Sequence, residues 1–407
     1  MISLSFSDEL KWRGFFNQTT YKNIEILNKE NKSFYLGVDP SADSMTIGNL
    51  AAVMLVKHFI KAGHKAYLLV GGATGMIGDP DGKKDERNLK TIDEINRNKL
   101  AIVEQYKQLL KSQDFTVVDN YDWFKNINYL DFLRTVGKHV PLNQMLSRDF
   151  IQSRLSTDGS GISYAEFSYA LIQGYDFLHL NDKHNVSLQL CGADQWGNAV
   201  AGVDLIRRIS GKQADIYSIP LVINKSTGVK FGKSEEGAIW LDSNKTSVYK
   251  FYQFWLNADD EGVIDYLKIY TMLGKEEIEL IERKRDTNPS ARDAQKALAR
   301  EVTILVHGVE RYNSVKRVTD VLFGNADFKT LDENDINGLS LEIPCSNINK
   351  TISEIFTETG ITKSRGEAKR LIIAGAVAVN NKKINDDIIV KSCCLIRKGK
   401  NNFVLVR

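Results

Sequence analysis

Three short stretches concentrate the groups able to hold a charged substrate. The first is Asp39-Pro40-Ser41-Ala42-Asp43-Ser44-Met45-Thr46-Ile47-Gly48-Asn49, which passes from an apolar strand through small residues into a helix. Backbone N–H groups and the helix dipole can face phosphate there, and Gly48 lets a ring or a ribose approach the chain closely. The glycine fingerprint of dinucleotide sites is missing, and a capped strand–loop–helix without a ligand would carry the same residues. The second is Gly71-Gly72-Ala73-Thr74-Gly75-Met76-Ile77-Gly78-Asp79-Pro80, a loop with four glycines around one carboxylate, Asp79. Lys83, Lys84 and Arg87 follow it, either to touch phosphates or to be solvated, and alone the loop reads as a surface turn. The third is Lys230-Phe231-Gly232-Lys233-Ser234, flanked by Gly228 and Gly237. Two lysines three residues apart can wrap an anionic leaving group as mobile point charges; in isolation this is a routine basic loop.

These stretches need elements to hold them at the carboxyl ends of strands, where open parallel sheets bind ligands. Phe34–Val38, Ala66–Val70 and Val186–Leu190 are short apolar runs that read as buried strands. Leu50, Val53, Met54, Val56 and Ile60 recur at helical spacing up to Gly63, and helical spacing returns over Gln195–Ile209. Alternating strands and helices predict an α/β fold with a Rossmann-like parallel sheet. The expected layout is a catalytic domain over residues 1–228 with a helical insertion at about 91–184, then the lysine loop and a link over 229–245. An all-helical domain follows at 246–323, then a polar linker at 324–346 and a small basic α+β domain at 347–407. The last is expected to hold a helix at Ser364–Ala374 and strands near Ala376–Val379 and Asn402–Val406.

Composition narrows the class. A chain of 407 residues and 45.9 kDa implies two or three domains. With 43% hydrophobic and 26% charged residues it is not a disordered chain. No apolar run reaches a bilayer span, and Met1–Leu10 already carries Asp8 and Glu9, unlike a secretory leader. A soluble, cytoplasmic protein without membrane association is therefore expected. Four cysteines and six scattered histidines match neither a disulfide framework nor a metal-ligand spacing, so no protein-bound metal is expected. The net charge of +3 hides an asymmetry: Asn347–Arg407 holds 12 Lys and Arg against 5 Asp and Glu. A basic module on a mildly acidic body points to a polyanionic partner.

Together the three stretches resemble the signatures of class I aminoacyl-tRNA synthetases. Asp39–Asn49 is similar to the first motif, which usually ends His-Ile-Gly-His. Lys230–Ser234 is similar to the second, Lys-Met-Ser-Lys-Ser, in its Lys-Phe-Gly-Lys form. Gly71–Pro80, Ser168-Tyr169-Ala170-Leu171-Ile172-Gln173-Gly174-Tyr175-Asp176-Phe177 and Gly192-Ala193-Asp194-Gln195-Trp196-Gly197-Asn198 resemble the bacterial tyrosyl-tRNA synthetases. So do Tyr121-Asp122-Trp123, Gly137-Lys138-His139, Phe251–Trp255 and Leu305–Gly308. The likeness runs from about Tyr35 through the basic tail, which is similar to a small RNA-binding domain shared with a ribosomal protein.

The resemblance implies that L-tyrosine is joined to ATP with release of pyrophosphate, and that the tyrosyl group then passes to the 3′ end of tRNA(Tyr). Such a reaction needs positioning and charge stabilisation instead of a protein nucleophile. Tyr35 and Asp176 would bind the phenol, Tyr169, Gln173 and Asp79 the ammonium, and Gln195 the carboxyl group. Tyr169, Gln173 and Asp176 stand at i, i+4 and i+7, one face of a helix. Asp39, Gly48, Gly192 and Asp194 would meet ATP, with Ser41, Thr46 and Asn49 supplying the first motif. Lys83, Arg87, Lys230, Lys233 and Ser234 would receive the pyrophosphate. Mg²⁺ would arrive with ATP as part of the substrate. Lys350, Lys363, Arg365, Lys369 and Arg370 would hold tRNA phosphates, and the family's habit implies a homodimer.

The chain departs from the family pattern at several points. Thr46 and Asn49 replace both motif histidines, Ser41 replaces a threonine, and Cys191 and Ala193 replace glycine and serine. A hydroxyl is shorter than imidazole and carries no charge, so Thr46 should slow activation by about 10- to 150-fold if a charge-assisted bond is lost. On this reading Thr46→His accelerates tyrosine activation. Two other readings compete: a synthetase-like RNA-binding protein without charging activity, and an enzyme for a tyrosine analogue, suggested by Cys191 and Ala193.

Overall fold

The computed structural model describes residues 4–80, 89–111, 113–146, 149–156, 159, 161–234, 237–324 and 326–407, without the side chains of 144, 149, 150, 233 and 234. The chain divides into two compact units, Met1–Thr246 with Trp255–Val302, and Ser247–Phe254 with Thr303–Arg407.

The first unit is built on a six-stranded sheet of β1 (Gln18–Thr19), β2 (Ser33–Val38), β3 (Lys65–Val70), β4 (Phe115–Val118), β5 (Leu188–Gly192) and β6 (Asp215–Ile219). Their spatial order is β1-β6-β5-β2-β3-β4. All pairs are parallel except β1 with β6. From β2 the chain winds outward through β3 and β4, then returns to place β5 and β6 on the other side. The topological switch point therefore lies between β2 and β5, where such sheets bind ligands. Tyr35 pairs across with Tyr67 on β3 and Gln189 on β5, so these three side chains share one face.

The expected helical stretch at 91–184 contains a strand. Helix Ile92–Leu109, capped by the Thr91 side chain, is the crossover from β3 to β4 and buries Ile95, Ile102, Tyr106 and Leu109. β4 escaped the sequence reading because it is an edge strand of four residues, none fully buried. The helical insertion proper lies between β4 and β5.

That insertion ends in helix Tyr164–His184, which carries three of the expected ligand side chains. Ser163 and Glu166 close its N-terminus as a capping box, and Asn185 ends it in the left-handed conformation. Arg154 holds Glu166 through two parallel bonds of 3.0 and 2.8 Å, both side chains buried. The helix lies tightly on helix Trp196–Ser210. A Cβ at Gly174 would come within 3.0 Å of Leu205 Cδ1, and one at Gly202 within 3.0 Å of Phe177 Cβ. Glycine is needed at both positions for close packing, and Phe177 and Leu180 of the helix share a core with Tyr35 of β2 and Tyr67 and Leu69 of β3.

The lysine stretch forms a small hairpin of β7 (Lys233–Ser234) with β8 (Gly237–Ala238). The chain after it is laced to the first motif: Ile47 N–H donates to Ile239 C=O at 3.1 Å and Leu241 N–H to Met45 C=O at 2.9 Å. Helices Val263–Tyr270 and Lys275–Thr287 belong to this unit as well. Buried Arg13 donates to the carbonyls of Lys268, Thr271 and Leu273, closing the C-terminal end of helix Val263–Tyr270. The helical segment expected over 246–323 is thus shared between the two units.

The second unit contains helix Val309–Phe323, the 3₁₀ turn Phe328–Thr330 and helix Glu333–Leu339. Its strands are β9 (Cys345–Ser346), β10 (Lys350–Thr351), β11 (Val377–Val379), β12 (Lys382–Ile384), β13 (Ile389–Val390), β14 (Cys394–Lys398) and β15 (Asn402–Val406). Five of them form a sheet in the order β12-β11-β14-β15-β9, and β10 pairs with β13. Helices Ile352–Glu358 and Arg365–Ile373 cover one face with Ile352, Ile355, Phe356, Ala368 and Ile372 against Val377, Ile396, Val404 and Val406. The other face buries Leu395, Phe403 and Leu405 against Val318, Leu322, Phe328, Leu331 and Leu339. The segment read as a linker, 324–346, is therefore folded. Phe328, Leu331 and Leu339 each gain about 1.5–3 kcal/mol from burial, enough to order a stretch whose composition is otherwise polar.

Candidate active site

At the carboxyl ends of β2 and β5 the first unit opens into a cavity of about 340 Å³. Fourteen of the expected site residues line it: Tyr35, Asp39, Ser41, Thr46, Gly48, Asn49, Asp79, Tyr169, Gln173, Asp176, Gly192, Asp194, Gln195 and Lys230. Lys83 and Arg87 lie outside the described residues, and Lys233 and Ser234 are described only as backbone. Lys350, Lys363, Arg365, Lys369 and Arg370 belong to the second unit. There Lys350 pairs with Glu358 and Arg365 with Glu354, while Lys369 and Arg370 are exposed on helix Arg365–Ile373.

The closed end of the cavity is polar and buried. Asp176 and Tyr35 are each 1% exposed. Asp176 Oδ2 accepts from Asn120 Nδ2 at 3.1 Å, and Oδ1 from Trp123 Nε1 at 3.0 Å. Burial pushes the Asp176 carboxyl well above the usual carboxylate range, and these two donors pull in the opposite direction. The Tyr35 hydroxyl is buried and has no hydrogen-bond partner; burial, helped by the Asp176 charge, pushes it well above its ordinary value. A buried hydroxyl without a partner is a standing cost that a ligand hydroxyl can remove, accepting from Tyr35 and donating to Asp176.

Asn120 joins this end to the second glycine stretch. It is fully buried, its Oδ1 accepts the Ala73 N–H at 2.7 Å, and its Nδ2 also donates to Thr74 Oγ1 at 3.1 Å. Asp119 beside it accepts the Gly72 N–H at 3.0 Å and pairs with Lys99. The loop can lie this close only without side chains: a Cβ at Gly72 would stand 2.4 Å from Asp119 Oδ1, and one at Gly71 2.7 Å from Asp39 Oδ1. Thr74, Asn120 and Trp123 were not among the expected site residues. The signal was an Asp-Asn pair at the end of a strand, which is invisible while β4 is read as helix.

Further out, acids dominate. The Tyr169 hydroxyl donates to Asp39 Oδ2 at 2.8 Å, and Gln195 Nε2 to Asp79 Oδ2 at 2.5 Å. Gln173 Oε1 is buried without a partner. Acceptors and carboxylates around one position favour a cationic group, such as an ammonium.

The open end is formed by the two signature stretches in contact. Gly232 has φ +96°, and a Cβ there would lie 2.6 Å from Ile47 Cγ1, so the lysine loop packs directly on the first motif. Phe231 is buried, its ring stacked on Tyr266 at 4.2 Å and near Trp255 and Tyr270. This aromatic anchor leaves Lys230 at the surface, its Nζ 3.7 Å from Asp194 Oδ2. Thr46 is the N-cap of helix Ile47–Lys61 and bonds to Asn49. A helix N-terminus, a lysine and Gly192 beside Asp194 suit phosphates and a ribose. Among the described residues no group of His, Cys, Asp and Glu could hold a metal ion.

The chain resembles known proteins along its whole length. The family model described as tRNA synthetases class I (W and Y) matches residues 27–324, and the tyrosine--tRNA ligase SYY-like C-terminal domain matches 335–406. Tyrosine--tRNA ligase of Levilactobacillus brevis is 44% identical, with 99% of each chain covered. That of Flavobacterium johnsoniae is 41% identical over 98% of each. Among solved structures, a C-terminally truncated mitochondrial tyrosyl-tRNA synthetase of Aspergillus nidulans aligns with TM-score 0.71 at 29% identity, over 78% of this chain and 94% of that one. The tyrosyl-tRNA synthetase of Archaeoglobus fulgidus complexed with L-tyrosine shares the fold at TM-score 0.57 and 16% identity, over 76% and 99%.

Proposed function

The chain belongs to the tyrosyl-tRNA synthetases of class I, and from that premise we propose how its own residues carry out the reaction. It is an aminoacyl-tRNA synthetase that activates L-tyrosine with ATP and charges tRNA. The phenol enters the closed end, accepting from Tyr35 and donating to Asp176, which Asn120 and Trp123 hold in place. The ammonium lies among Tyr169, Gln173 and Asp79. This leaves the carboxylate near Gln195, pointing toward the open end.

ATP, bringing Mg²⁺ with it, lies with its ribose at Gly192 and Asp194 and its phosphates between the first-motif helix and the lysine loop. A carboxylate oxygen of tyrosine attacks the α-phosphorus, the bond to the bridging oxygen of the β-phosphate breaks, and pyrophosphate leaves. Lys230, with Lys233, Lys83 and Arg87, meets the charge gathering on that leaving group. A terminal hydroxyl of tRNA(Tyr) then attacks the tyrosyl carbonyl and AMP leaves. The second unit supplies the basic surface for the tRNA, Lys369 and Arg370 being exposed there.

The chain acts as a homodimer through its insertion, where Tyr129, Leu130, Leu142 and Tyr164 are 59%, 71%, 60% and 62% exposed. Among the described residues no helix is long and apolar enough to cross a membrane, and we place the enzyme in the cytoplasm.

The observation that carries the substrate assignment is the buried Tyr35 hydroxyl without a partner beside a carboxylate whose two oxygens are already oriented. ATP–pyrophosphate exchange by the purified protein tests it: tyrosine should support exchange and phenylalanine should not. Exchange with neither, from a folded protein, would sink the assignment. Light scattering of the same sample should give the mass of two chains.

A further inference from the structure

The first-motif turn is unlike the rest of the cavity wall, because its two polar side chains are bonded to each other. Asn49 Oδ1 accepts the Thr46 backbone N–H at 2.9 Å and the Thr46 hydroxyl at 3.0 Å. A backbone N–H can only donate, so the atom facing it is the carboxamide oxygen and the NH₂ group points the other way. Thr46 itself is held from outside the turn. It is bridged to Trp240, and the next N–H, of Ile47, is bonded to Ile239 C=O. Both side chains line the cavity, at the N-terminus of a 15-residue helix.

Two bonds to one oxygen fix the plane of the Asn49 carboxamide, and its two N–H donors are what the residue offers to a ligand. The helix dipole favours an electron-rich atom at the same place.

We propose that Thr46 is a positioning residue: it forms one unit with Asn49 and aims the Asn49 Nδ2 donor at the nucleotide, with no ligand contact of its own. This rests on the reading of the open end as the nucleotide site. The Thr46 hydroxyl is spent on Asn49 and not on the ligand.

A double-mutant cycle in tyrosine-dependent ATP–pyrophosphate exchange tests the unit. Thr46→Val keeps the shape and removes one of the two bonds, and should lower exchange about threefold to tenfold, the equivalent of a single neutral hydrogen bond. Asn49→Ala should lower it about tenfold to 150-fold, as for a donor to a charged group. The double variant should fall no further than Asn49→Ala. Thr46→Ser should recover the wild-type rate. The losses should appear in the ATP dependence, with tyrosine affinity unchanged, which also shows that the variants fold. Losses that multiply in the double variant, or a Thr46→Val enzyme with wild-type ATP dependence, would overturn the unit while leaving the site assignment intact. A wild-type protein without tyrosine-dependent exchange would overturn the site assignment, and the unit with it.

Discussion

At the closed end of the cavity Asp176 and Tyr35 are each 1% exposed, the carboxylate oriented by Asn120 and Trp123; at the open end Lys230 and Asp194 are 53% and 42% exposed and face each other at 3.7 Å. The closed end is a low-dielectric site, where an unpaired donor or acceptor costs its full desolvation penalty and selectivity can be built from one hydroxyl. At the open end a lysine pair is screened and weak, so Lys230 can exchange Asp194 for phosphate at little cost. One cavity therefore separates recognition from charge handling by exposure alone. The glycine-rich loop between the two ends, tied down by Asp119 and Asn120, keeps them in register.

The sharpest way to break this contrast is Asp176→Asn. The amide would set its NH₂ against one of the two donors, Asn120 Nδ2 or Trp123 Nε1, and would leave a ligand phenol only a neutral, weaker acceptor. Tyrosine-dependent exchange should fall by about 2–4 kcal/mol, roughly 30- to 900-fold, with the loss in tyrosine affinity and the ATP dependence preserved. A loss shared equally between the two substrates would mean that the ends are not separate. Asn120→Ala tests the same boundary from behind the wall. It should cost about 10- to 100-fold in kcat/KM for tyrosine, by freeing Asp176 and the Ala73 N–H together.

Tyr35→Phe separates stability from recognition. The Tyr35 hydroxyl is buried without a hydrogen-bond partner in the protein, so its removal should leave the melting temperature unchanged or raise it. Discrimination between tyrosine and phenylalanine should nevertheless shrink, by about 5- to 150-fold, or 1–3 kcal/mol. A variant that melts lower, measured by calorimetry, would show that the hydroxyl has a partner in the folded protein and that the closed end is not waiting for a ligand.

What was legible in the sequence follows the same division of physical environments. β2, β3 and β5 are central strands, buried on both faces, and such strands are written as continuous apolar runs. The signature residues stood out because ligand-binding loops use glycine, acids and lysines in places where packing asks for none of them. β4 is half-exposed and its four residues carry no alternation, so in the sequence its end, with Asp119 and Asn120, merges into the helical pattern around it. The folded segment at 324–346 was hidden because three separate anchors, Phe328, Leu331 and Leu339, do its packing within a polar stretch. The pairing of Thr46 with Asn49 is three residues long and local, yet the choice between a side chain that faces the ligand and one that faces its neighbour depends on how the turn is clamped from Ile239 and Trp240.

That choice alters what Thr46→His should do. Taken from the sequence, the change restores a cationic donor and accelerates activation. In the structure the Thr46 hydroxyl supplies one of the two bonds that aim Asn49, the backbone N–H of the same residue supplying the other, and a larger imidazole has to take the hydroxyl's place in a turn already bridged to Trp240. The histidine gains a donor of its own while loosening the one beside it, two contributions of about 1 kcal/mol each with opposite sign. The single variant should therefore stay within about threefold of the wild-type exchange rate, the smallest effect among these changes. Adding Asn49→His to Thr46→His removes the conflict and should release the gain. An acceleration of about tenfold or more from Thr46→His alone would show that the open end gains from any added donor, and that its side chains are as independent as their exposure suggests.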